Sequence, residues 1–473
     1  MEKNKPLQKW EQKEQEILRG DSEKIQSQHD KGKKTARERI NSLFDSASFV
    51  ELEALNQSGV ICGYGLASNR PVFAVSQDII VKGAAMGENQ ASKIIRTLDL
   101  AKTAGAPVVF FIDTEGFLVE ENALTLKAYA KVFAKIADLN GFCPTITLIG
   151  GESFGLAAQF AALTDFAVAT KGVSAMLPFS PAVLSTVGNA PKDAQSLGGA
   201  DTLSKNGNVA ISAESEDEAI ISIKKLLALL PSFASEKSPY SCTDDINRSI
   251  TADGTDGMLL LNDLADKGSA LELYKYAGIG VHTAFARVGG HACLMLVSEP
   301  RNDNGRLCHK ACKKIAKLVK FARSFKLPII NFVSSDGLKV VPEDKIPCLL
   351  ANSAEMTRSL ALSASPKVCV VFGNAIGASY ISAASSSADL SFVWPEAMVS
   401  PLTKEAAVQT FDALKLKDEK RSELEASYAK AHDGLSVAQL GLADKIIKPS
   451  ESRKHIIAAL ELLYMKEETA KFI

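Results

Sequence analysis

Glycine residues follow four short apolar runs of this chain, at points where small residues open the next segment. A glycine that ends a strand and opens a helix leaves room for backbone N–H groups to converge on a developing negative charge. Two such loops in each half of the chain predict one oxyanion hole per half. The predicted donors lie near Gly116, Gly155 and Leu156 in the first half, and near Gly337, Gly377 and Ala378 in the second half.

A nucleotide site is one alternative, because glycine-rich turns after strands also bind dinucleotides. The segments GGESFGLAA (150–158) and GNAIGAS (373–379) do not have the GxGxxG spacing. The triphosphate-binding pattern GxxxxGK[ST] does not occur in the sequence. The spacing therefore argues against both kinds of nucleotide site.

A serine nucleophile is a second alternative, because Gly151-Glu-Ser-Phe-Gly matches GxSxG between a predicted strand and a predicted helix. The matching loop of the second half has Ala375 where Ser153 stands, and the six histidines have no evident triad setting. A site of backbone amides, with the base supplied by a cofactor, fits this shortage of side-chain catalysts better.

The segments that carry the glycines repeat once along the chain. In each half a predicted β-hairpin is followed by a helix, a buried strand and the first glycine loop, and then by a second helix, strand and glycine loop. Strand–turn–helix rhythm is common to α/β domains, but so many matches in one order favour an internal duplication. We predict an α/β protein with domains 1–240 and 241–473, joined by a polar linker at 235–247.

Composition narrows the class of protein. A chain of 473 residues exceeds what one hydrophobic core usually holds, which favours two large domains. Lys and Arg total 54 against 55 Asp and Glu, so no basic field predicts a nucleic-acid partner. The charged N-terminus is not a secretory signal, and the apolar runs are too short to cross a bilayer. We expect a cytoplasmic protein.

Eight cysteines are scattered without the paired CxxC spacing of a zinc ribbon. Cys308, His309 and Cys312 lie close together in sequence, but they open a predicted helix and no fourth ligand is nearby. We therefore expect reduced, mostly buried thiols and no metal.

With these loops in place, the chain resembles the carboxyltransferase (beta) subunits of propionyl-CoA, methylmalonyl-CoA and related carboxylases. It is equally similar to the corresponding alpha subunits of sodium-pumping acyl-CoA decarboxylases. The resemblance runs nearly end to end, and we expect the chain to be complete. The segments that carry it are TARERINSLFD (35–45), SFVEL (48–52), GAAMGE (83–88), AALTDF (161–166), GGA (198–200), VWPEA (393–397) and GLADKIIKPSESR (441–453).

The resemblance implies two tandem crotonase-like ββα-superhelix domains, with acyl-CoA bound by the first domain and biotin bound by the second domain of a neighbouring subunit. The active sites would then lie between subunits. Carboxyl transfer between biotin on a separate carrier protein and a short acyl-CoA would create two oxyanions, on the biotin ureido oxygen and on the thioester oxygen. One hole would hold each. The expected partners are a biotin carboxyl carrier protein, a biotin carboxylase or membrane decarboxylase subunit that could bring the protein to a membrane, and further copies of this chain as a trimer of dimers.

Carried over residue by residue, the family pattern is kept on the biotin side, at Gly337, Gly377 and Ala378. On the acyl-CoA side the resemblance implies binding residues at Gly83, Ala84, Glu115 and Phe117. This side departs from the family, whose Asp-Ser-Gly-Gly-Ala-Arg appears here as Asp113-Thr-Glu-Gly-Phe-Leu, and whose Ala-Gly-Gly-Ala appears as Phe154-Gly-Leu-Ala. A glutamate or leucine at a position that needs φ > 0 would be strained.

The altered loops allow three interpretations. Altered acyl specificity is the first, because the apolar side chains of Phe117, Leu118, Phe154 and Leu156 could narrow the pocket. Glu115 could act as a side-chain base, although a surface carboxylate is the simpler explanation. The chain could also be a non-catalytic or diverged subunit that keeps only a role in assembly. A crotonase-like hydratase, isomerase or decarboxylase without biotin is a further alternative, against which the intact second half argues.

Overall fold

The computed structural model divides into two compact units, residues 1–236 (unit 1) and 237–473 (unit 2). The division falls within the polar segment predicted as the linker, of which Pro239 lies outside the described residues. The assignment of one unit to acyl-CoA and the other to biotin stays a prediction. The structure describes residues 5–187, 193–238, 240–384, 387–411 and 418–464.

Nine strands lie in the described part of unit 1. They are β1 (Val50–Leu52), β2 (Val60–Ala67), β3 (Arg70–Gln77), β4 (Val108–Ile112), β5 (Thr145–Ile149), β6 (Glu152–Phe154), β7 (Phe166–Thr170), β8 (Ala175–Leu177) and β9 (Ile211–Ala213). Seven of them form one sheet in the order β1-β2-β3-β4-β5-β7-β9, while β6 pairs with β8. The first three strands are antiparallel and the others add in parallel.

Ten α-helices lie in the described part of unit 1. They are α1 (Lys5–Arg19), α2 (Ser22–His29), α3 (Ala36–Leu43), α4 (Glu88–Ala104), α5 (Leu124–Leu139), α6 (Leu156–Leu163), α7 (Pro181–Thr186), α8 (Ala194–Gly198), α9 (Ala200–Lys205) and α10 (Glu216–Leu229). Every residue of β4 and β5 is buried, as expected for parallel strands covered on both faces. The predicted helix before β4 ends where Gly105 adopts a left-handed conformation.

Unit 2 repeats this order. Its strands are β10 (Leu271–Glu272), β11 (Val281–Val288), β12 (His291–Ser298), β13 (Ile329–Ser335), β14 (Lys367–Ile376), β15 (Leu390–Val393), β16 (Met398–Ser400) and β17 (Lys445–Ile446). Its helices are α11 (Gly257–Leu264), α12 (His309–Ser324), α13 (Ile346–Ala361), α14 (Lys404–Phe411), α15 (Asp418–Ala431), α16 (Gly434–Gln439) and α17 (Ser452–Leu463), with a π-helix at Tyr380–Ala384. The sheet order is β10-β11-β12-β13-β14-β15-β17, and β16 pairs with β14.

The two sheets match in order, in direction and in local register. In unit 1, Ser153 of β6 lies opposite Met176 of β8 in a parallel pair. In unit 2, the corresponding Ala375 of β14 lies opposite Val399 of β16, also in a parallel pair. The hairpins, helices and buried strands predicted for both halves are confirmed. Among the described residues, no helix combines the length and the apolar character that crossing a membrane requires.

Candidate active site

The first glycine loop of unit 1 follows β4, and hydrogen bonds within the protein hold it in place. Gly116 has φ +117°, and its N–H donates to Thr114 Oγ1 at 3.0 Å. Its carbonyl oxygen accepts from the Met86 N–H and from the Tyr129 hydroxyl, both at 2.9 Å. The polar groups of Gly116 are therefore used inside the protein and are not open to a ligand.

The N–H of the next residue, Phe117, is placed differently. Met86 and Phe117 form a parallel bridge, in which Met86 bonds the Gly116 carbonyl and the Leu118 N–H. In such a bridge the partner's own N–H points to the opposite side. The Phe117 N–H therefore points away from Met86, which follows β3, and toward the side on which β5 lies. It is the donor that this loop offers.

The second glycine loop of unit 1 leads into α6. Gly155 has φ +58°, and its N–H donates to the Leu177 carbonyl at 3.0 Å. Helix α6 begins at Leu156, and the N–H groups of a first helical turn have no partner within the helix. The positive end of the helix dipole adds to their attraction for an anion. The donor in this loop is therefore Leu156 rather than Gly155.

Unit 2 reproduces both loops. Gly337 has φ +97° and donates its N–H to Ser335 Oγ at 3.2 Å, while Leu338 forms the parallel bridge with Leu307. Gly377 has φ +50° and donates its N–H to the Ser400 carbonyl at 2.9 Å. The remaining donors are the N–H groups of Leu338 and of Ala378, which follows Gly377. Each unit thus offers two amides, and each of the four lies one residue after a predicted glycine. Leu156 and Ala378 were among the predicted donors, whereas Phe117 and Leu338 were not predicted as donors.

Side chains join the two loops of unit 2 directly. Ser379 Oγ donates to the Ser335 carbonyl at 2.9 Å, and Asn374 Nδ2 donates to Asp336 Oδ1 at 2.8 Å. Asn304 Nδ2 also donates to Asp336, at 2.9 Å. A cleft of about 760 Å³ opens beside Asp336 and Asn374. Its lining includes Arg306 and Lys404, so the cleft is polar and contains both signs of charge.

The altered residues of unit 1 do not strain the backbone. The left-handed positions in its two glycine loops are Gly116 and Gly155, and neither Glu115 nor Leu156 has a positive φ. Glu115 is exposed and lies over Gly83, where an added Cβ would be 2.3 Å from Glu115 Oε2. Gly83 itself has φ +64°, a conformation that glycine adopts without strain. Ala84, which has φ +48°, accepts a hydrogen bond from Thr114 at 2.7 Å.

Arg39 forms hydrogen bonds at the ends of β4 and β5, the two strands that lead to the glycine loops of unit 1. It lies on α3, which starts with a capping box between Thr35 and Glu38. Its guanidinium donates to Asp113 Oδ2 at 3.0 Å, to the Gly150 carbonyl at 2.9 Å and to Glu216 at 2.7 and 2.9 Å. Burial alone would lower the pKa of Arg39, but the hydrogen bonds and charges of Glu216 and Asp113 raise it above its usual value.

No serine–histidine pair forms at the GxSxG motif. Ser153 lies within β6, its side chain is fully buried, and its Oγ has no hydrogen-bond partner among the described residues. The histidines make other contacts. His282 lies between Glu272 and Glu299, at 2.7 and 3.0 Å. His291 begins β12, directly after the hairpin turn, and bonds Glu461 at 2.8 Å.

The cysteines are free, and most of them are buried, as predicted. Cys308 occupies the N-cap position of α12 without a side-chain hydrogen bond to the helix, and Cys312 is buried within that helix. Burial raises the pKa of the Cys312 thiol to about 12. Within the described ranges no group of three His, Cys, Asp or Glu residues is arranged to hold a metal ion.

The residues that hold the loops were not among those predicted from the sequence. Thr114 and Ser335 bind the N–H of the glycine two residues later, and this spacing is visible when the two halves are aligned. Tyr129 was not identifiable, because it lies in a helix with ordinary core spacing. Its role depends on a contact that only the folded chain creates.

Known proteins match this chain over nearly its whole length. The sequence model of the carboxyl transferase domain matches residues 27–472. The methylmalonyl-CoA carboxyltransferase 12S subunit of Propionibacterium freudenreichii subsp. shermanii is 31% identical, over 95% of this chain and 92% of that protein. The methylmalonyl-CoA decarboxylase subunit alpha of Veillonella parvula is also 31% identical, over 95% of this chain and 94% of that protein.

One solved structure shares the mixed α/β fold closely. It is a crystal structure of transcarboxylase 12S, described as a hexamer assembly with methylmalonyl-coenzyme A and methylmalonic acid bound. It superposes with a TM-score of 0.94 at 30% identity, covering 98% of this chain and 96% of that chain.

Proposed function

The chain belongs to the carboxyl transferase domain family, and on that premise we propose that it transfers a carboxyl group between biotin on a separate carrier protein and a short acyl-CoA. The observation that carries the proposal is the pair of available N–H donors that recurs in each unit. Transfer between two acceptors through enolates requires two oxyanions to be stabilised, and a duplicated hole supplies one site for each.

We assign unit 1 to the acyl-CoA. The thioester oxygen would accept from the N–H groups of Phe117 and Leu156. Gly83, Ala84 and Glu115 form the adjoining wall, because the Glu115 N–H bonds the Gly83 carbonyl at 2.8 Å. The Phe117 side chain is 56% exposed and Leu156 is half-buried, so both can cover a small apolar acyl group. A narrow, apolar pocket favours short acyl chains.

We assign unit 2 to biotin. The residues fit the group: two open amides at Leu338 and Ala378 suit a ureido oxygen, and the polar cleft is lined by Asp336 and Asn374 of the same two loops. When bound, biotin would supply the carboxyl group that is exchanged with the acyl-CoA. The part of the protein in this step is to hold the ureido oxygen, to keep Gly377 in its left-handed conformation and to exclude water. The hydrogen bond from the Gly377 N–H to the Ser400 carbonyl helps to hold Gly377 in that left-handed conformation.

The finer architecture is also a proposal. We propose that both units are crotonase-like ββα superhelices from an internal duplication, which the matched strand order and register support. We further propose a homohexamer, as a trimer of dimers, because transcarboxylase 12S is described as a hexamer. The biotin carboxyl carrier protein and a biotin carboxylase or membrane decarboxylase subunit would be separate chains. The relatives include both a transferase and a decarboxylase, so either direction of transfer fits.

Carboxyl exchange tests the proposal. Native protein would be incubated with free biotin or a biotinylated carrier and with a panel of labelled methylmalonyl-, malonyl-, propionyl- and acetyl-CoA. Gly377→Val places a β-branched residue at φ +50° with its Cβ 3.0 Å from the Pro401 carbonyl, so it should abolish exchange. Gly441→Val is the matched control, since Gly441 has φ +71° in the same unit and open space around it.

Exchange on one acyl-CoA that Gly377→Val loses and Gly441→Val keeps would support carboxyl transfer. A hexamer by light scattering would support the assembly. If CoA esters bind but none exchanges under any condition, the non-catalytic interpretation takes first place, and the change from the family pattern at Glu115 and Leu156 becomes its explanation.

A further inference from the structure

We infer that Tyr129 is a positioning residue of the unit 1 hole, whose hydroxyl and ring together fix the directions of both donor amides. This inference rests on the proposed function of that hole. Tyr129 lies on α5, is 2% exposed and is not one of the residues that would touch the substrate.

The hydroxyl acts through one peptide group. The Gly116 carbonyl and the Phe117 N–H belong to the same planar unit, and in a trans peptide they point in opposite directions. The Tyr129 hydroxyl bonds that carbonyl at 2.9 Å, so it fixes the direction in which the Phe117 N–H points. Burial raises the pKa of Tyr129, so the hydroxyl keeps the proton that it donates. A bonded carbonyl also polarises the N–H of its own peptide and makes it a stronger donor.

The ring acts through the neighbouring aromatic residues. Tyr129 packs edge-to-face on Phe133 with ring centroids 5.6 Å apart, and Phe133 packs on Phe160 at 6.3 Å. Phe160 lies on α6, the helix whose first residue is Leu156. Phe160 also packs on Phe110 of β4 at 5.3 Å. One aromatic cluster therefore connects the loop of Phe117 with the helix that begins at Leu156.

Unit 2 connects its two loops in a different way. Its Ser379 hydroxyl bonds the Ser335 carbonyl directly, at 2.9 Å, and so joins the two loops. The position matching Ser379 in unit 1 is Ala157, which has no hydroxyl. Helix α13, which follows the first loop of unit 2, contains no aromatic residue. Tyr129 and its cluster thus replace in unit 1 the polar link of unit 2.

Tyr129→Phe removes the hydroxyl and keeps the ring contact with Phe133. In the full complex with acyl-CoA and biotin, we expect kcat to fall about tenfold with KM for acyl-CoA within about twofold, because the donor is misdirected but present. The infrared carbonyl stretch of bound propionyl-CoA, labelled with carbon-13 at the carbonyl, should lose much of the downward shift that the hole imposes on it. A purely structural role would not change that frequency.

Thr283→Val is the matched control. The Thr283 hydroxyl is fully buried in unit 2 and donates to the Leu273 carbonyl at 2.6 Å, so the variant loses the same kind of bond away from the hole. It should keep the carbonyl shift. If Tyr129→Phe does not fold, Phe133→Leu weakens the aromatic cluster while leaving the hydroxyl. We expect it to reduce kcat about threefold and to diminish the shift in part.

The outcomes separate the inference from the proposed function. If native protein shows the shift and Tyr129→Phe or Phe133→Leu shows it unchanged, with kcat unchanged, the inference is overturned and the hole stands. If propionyl-CoA binds native protein without any shift, the hole itself is absent, and the proposed function and the role of Tyr129 are overturned together.

Discussion

The two units hold the same pair of loops by different means. In unit 2 the loops bond each other, through Ser379 with Ser335 and through Asn374 with Asp336. In unit 1 they are held from outside, by Arg39 at the strand ends and by Tyr129 above Gly116. The shared features are the left-handed glycines and the amides that follow them.

This difference shows which part of the duplicated structure is constrained. The chemistry proposed for each hole needs backbone donors in fixed directions, and a backbone conformation can be supported by any side chains that fill the space and satisfy its polar groups. The side chains around the loops could therefore diverge. The glycines could not, because only glycine adopts those φ values without strain.

The largest effect on stability is expected from removing the Arg39 side chain of unit 1. Arg39→Met leaves Glu216 and part of Asp113 buried without their cation, which should destabilise unit 1 by about 3–5 kcal/mol. Hydrogen exchange of peptides from β4 and β5, read by mass spectrometry, measures this loss. Carboxyl exchange should fall as well, because Asp113 and Gly150 lie at the starts of the two loops.

Arg453→Met is the control for that comparison. Arg453 is also fully buried, but it bonds Asp266 and the Asp245 carbonyl, away from the glycine loops of unit 2. We expect a similar loss of stability in unit 2 with a nearly native kcat in the folded fraction. Equal effects of the two variants on kcat would contradict the assignment of Arg39 to the loops.

A reciprocal exchange tests the polar link of unit 2. Asn374→Glu gives unit 2 the carboxylate that unit 1 has at the matching Glu152, and it sets that charge beside Asp336. Like charges at this distance repel, so we expect about a tenfold loss in carboxyl exchange. Glu152→Asn in unit 1 should change the rate less than about twofold, because Glu152 is exposed. Steady-state kinetics on both variants would contradict the link if their effects were equal.

The stability of unit 2 should depend on pH through His282. Burial lowers the pKa of His282, but the hydrogen bonds and charges of Glu272 and Glu299 outweigh it and leave the pKa above 6.5. Because the pKa is raised in the folded state, protonated His282 stabilises unit 2. This contribution to the free energy of unfolding is fully present below about pH 6.5 and is lost as pH rises through the folded-state pKa. His282→Gln should flatten this dependence.

Trp394 provides the measurement for that prediction. It is 4% exposed in unit 2, and a Trp10→Phe background removes the other tryptophan of the chain. Urea unfolding followed by Trp394 fluorescence should show that the free energy of unfolding of unit 2 declines from about pH 6 to about pH 8.5 in the protein with His282. Unit 1 has Ile61 at the position that matches His282. The protection of its amides from hydrogen exchange should therefore not show the same dependence on pH. An identical curve for His282→Gln would exclude the imidazole as its source.

The smallest effect is expected at Glu115. Its side chain is exposed, so Glu115→Gln should leave carboxyl exchange within about twofold and the pH–rate profile unchanged. A loss of about 100-fold or more, with one limb of the profile removed, would instead identify Glu115 as a general base. That result would make unit 1 a divergent site rather than a variant of unit 2.

The elements of the fold could largely be predicted from the sequence. The hairpins, the helices before each buried strand and the four glycine loops follow from local periodicity and from glycine conformation, which depend on neighbours in the chain. Their recurrence also indicated the duplication. Glu115 and Leu156 would be strained only at a position of positive φ, and in the structure the left-handed positions of these loops are glycines.

The tertiary structure decided which amides are available. Gly155 and Gly377 give their N–H groups to the carbonyls of Leu177 and Ser400, which are contributed by the later strands β8 and β16. No local pattern specifies such a pairing, which removes the two glycines from the predicted donors and leaves Leu156 and Ala378. The support by Tyr129 has the same origin, because it depends on where α5 packs. The sequence by itself determined where glycine loops occur; only long-range packing determined which N–H groups they present.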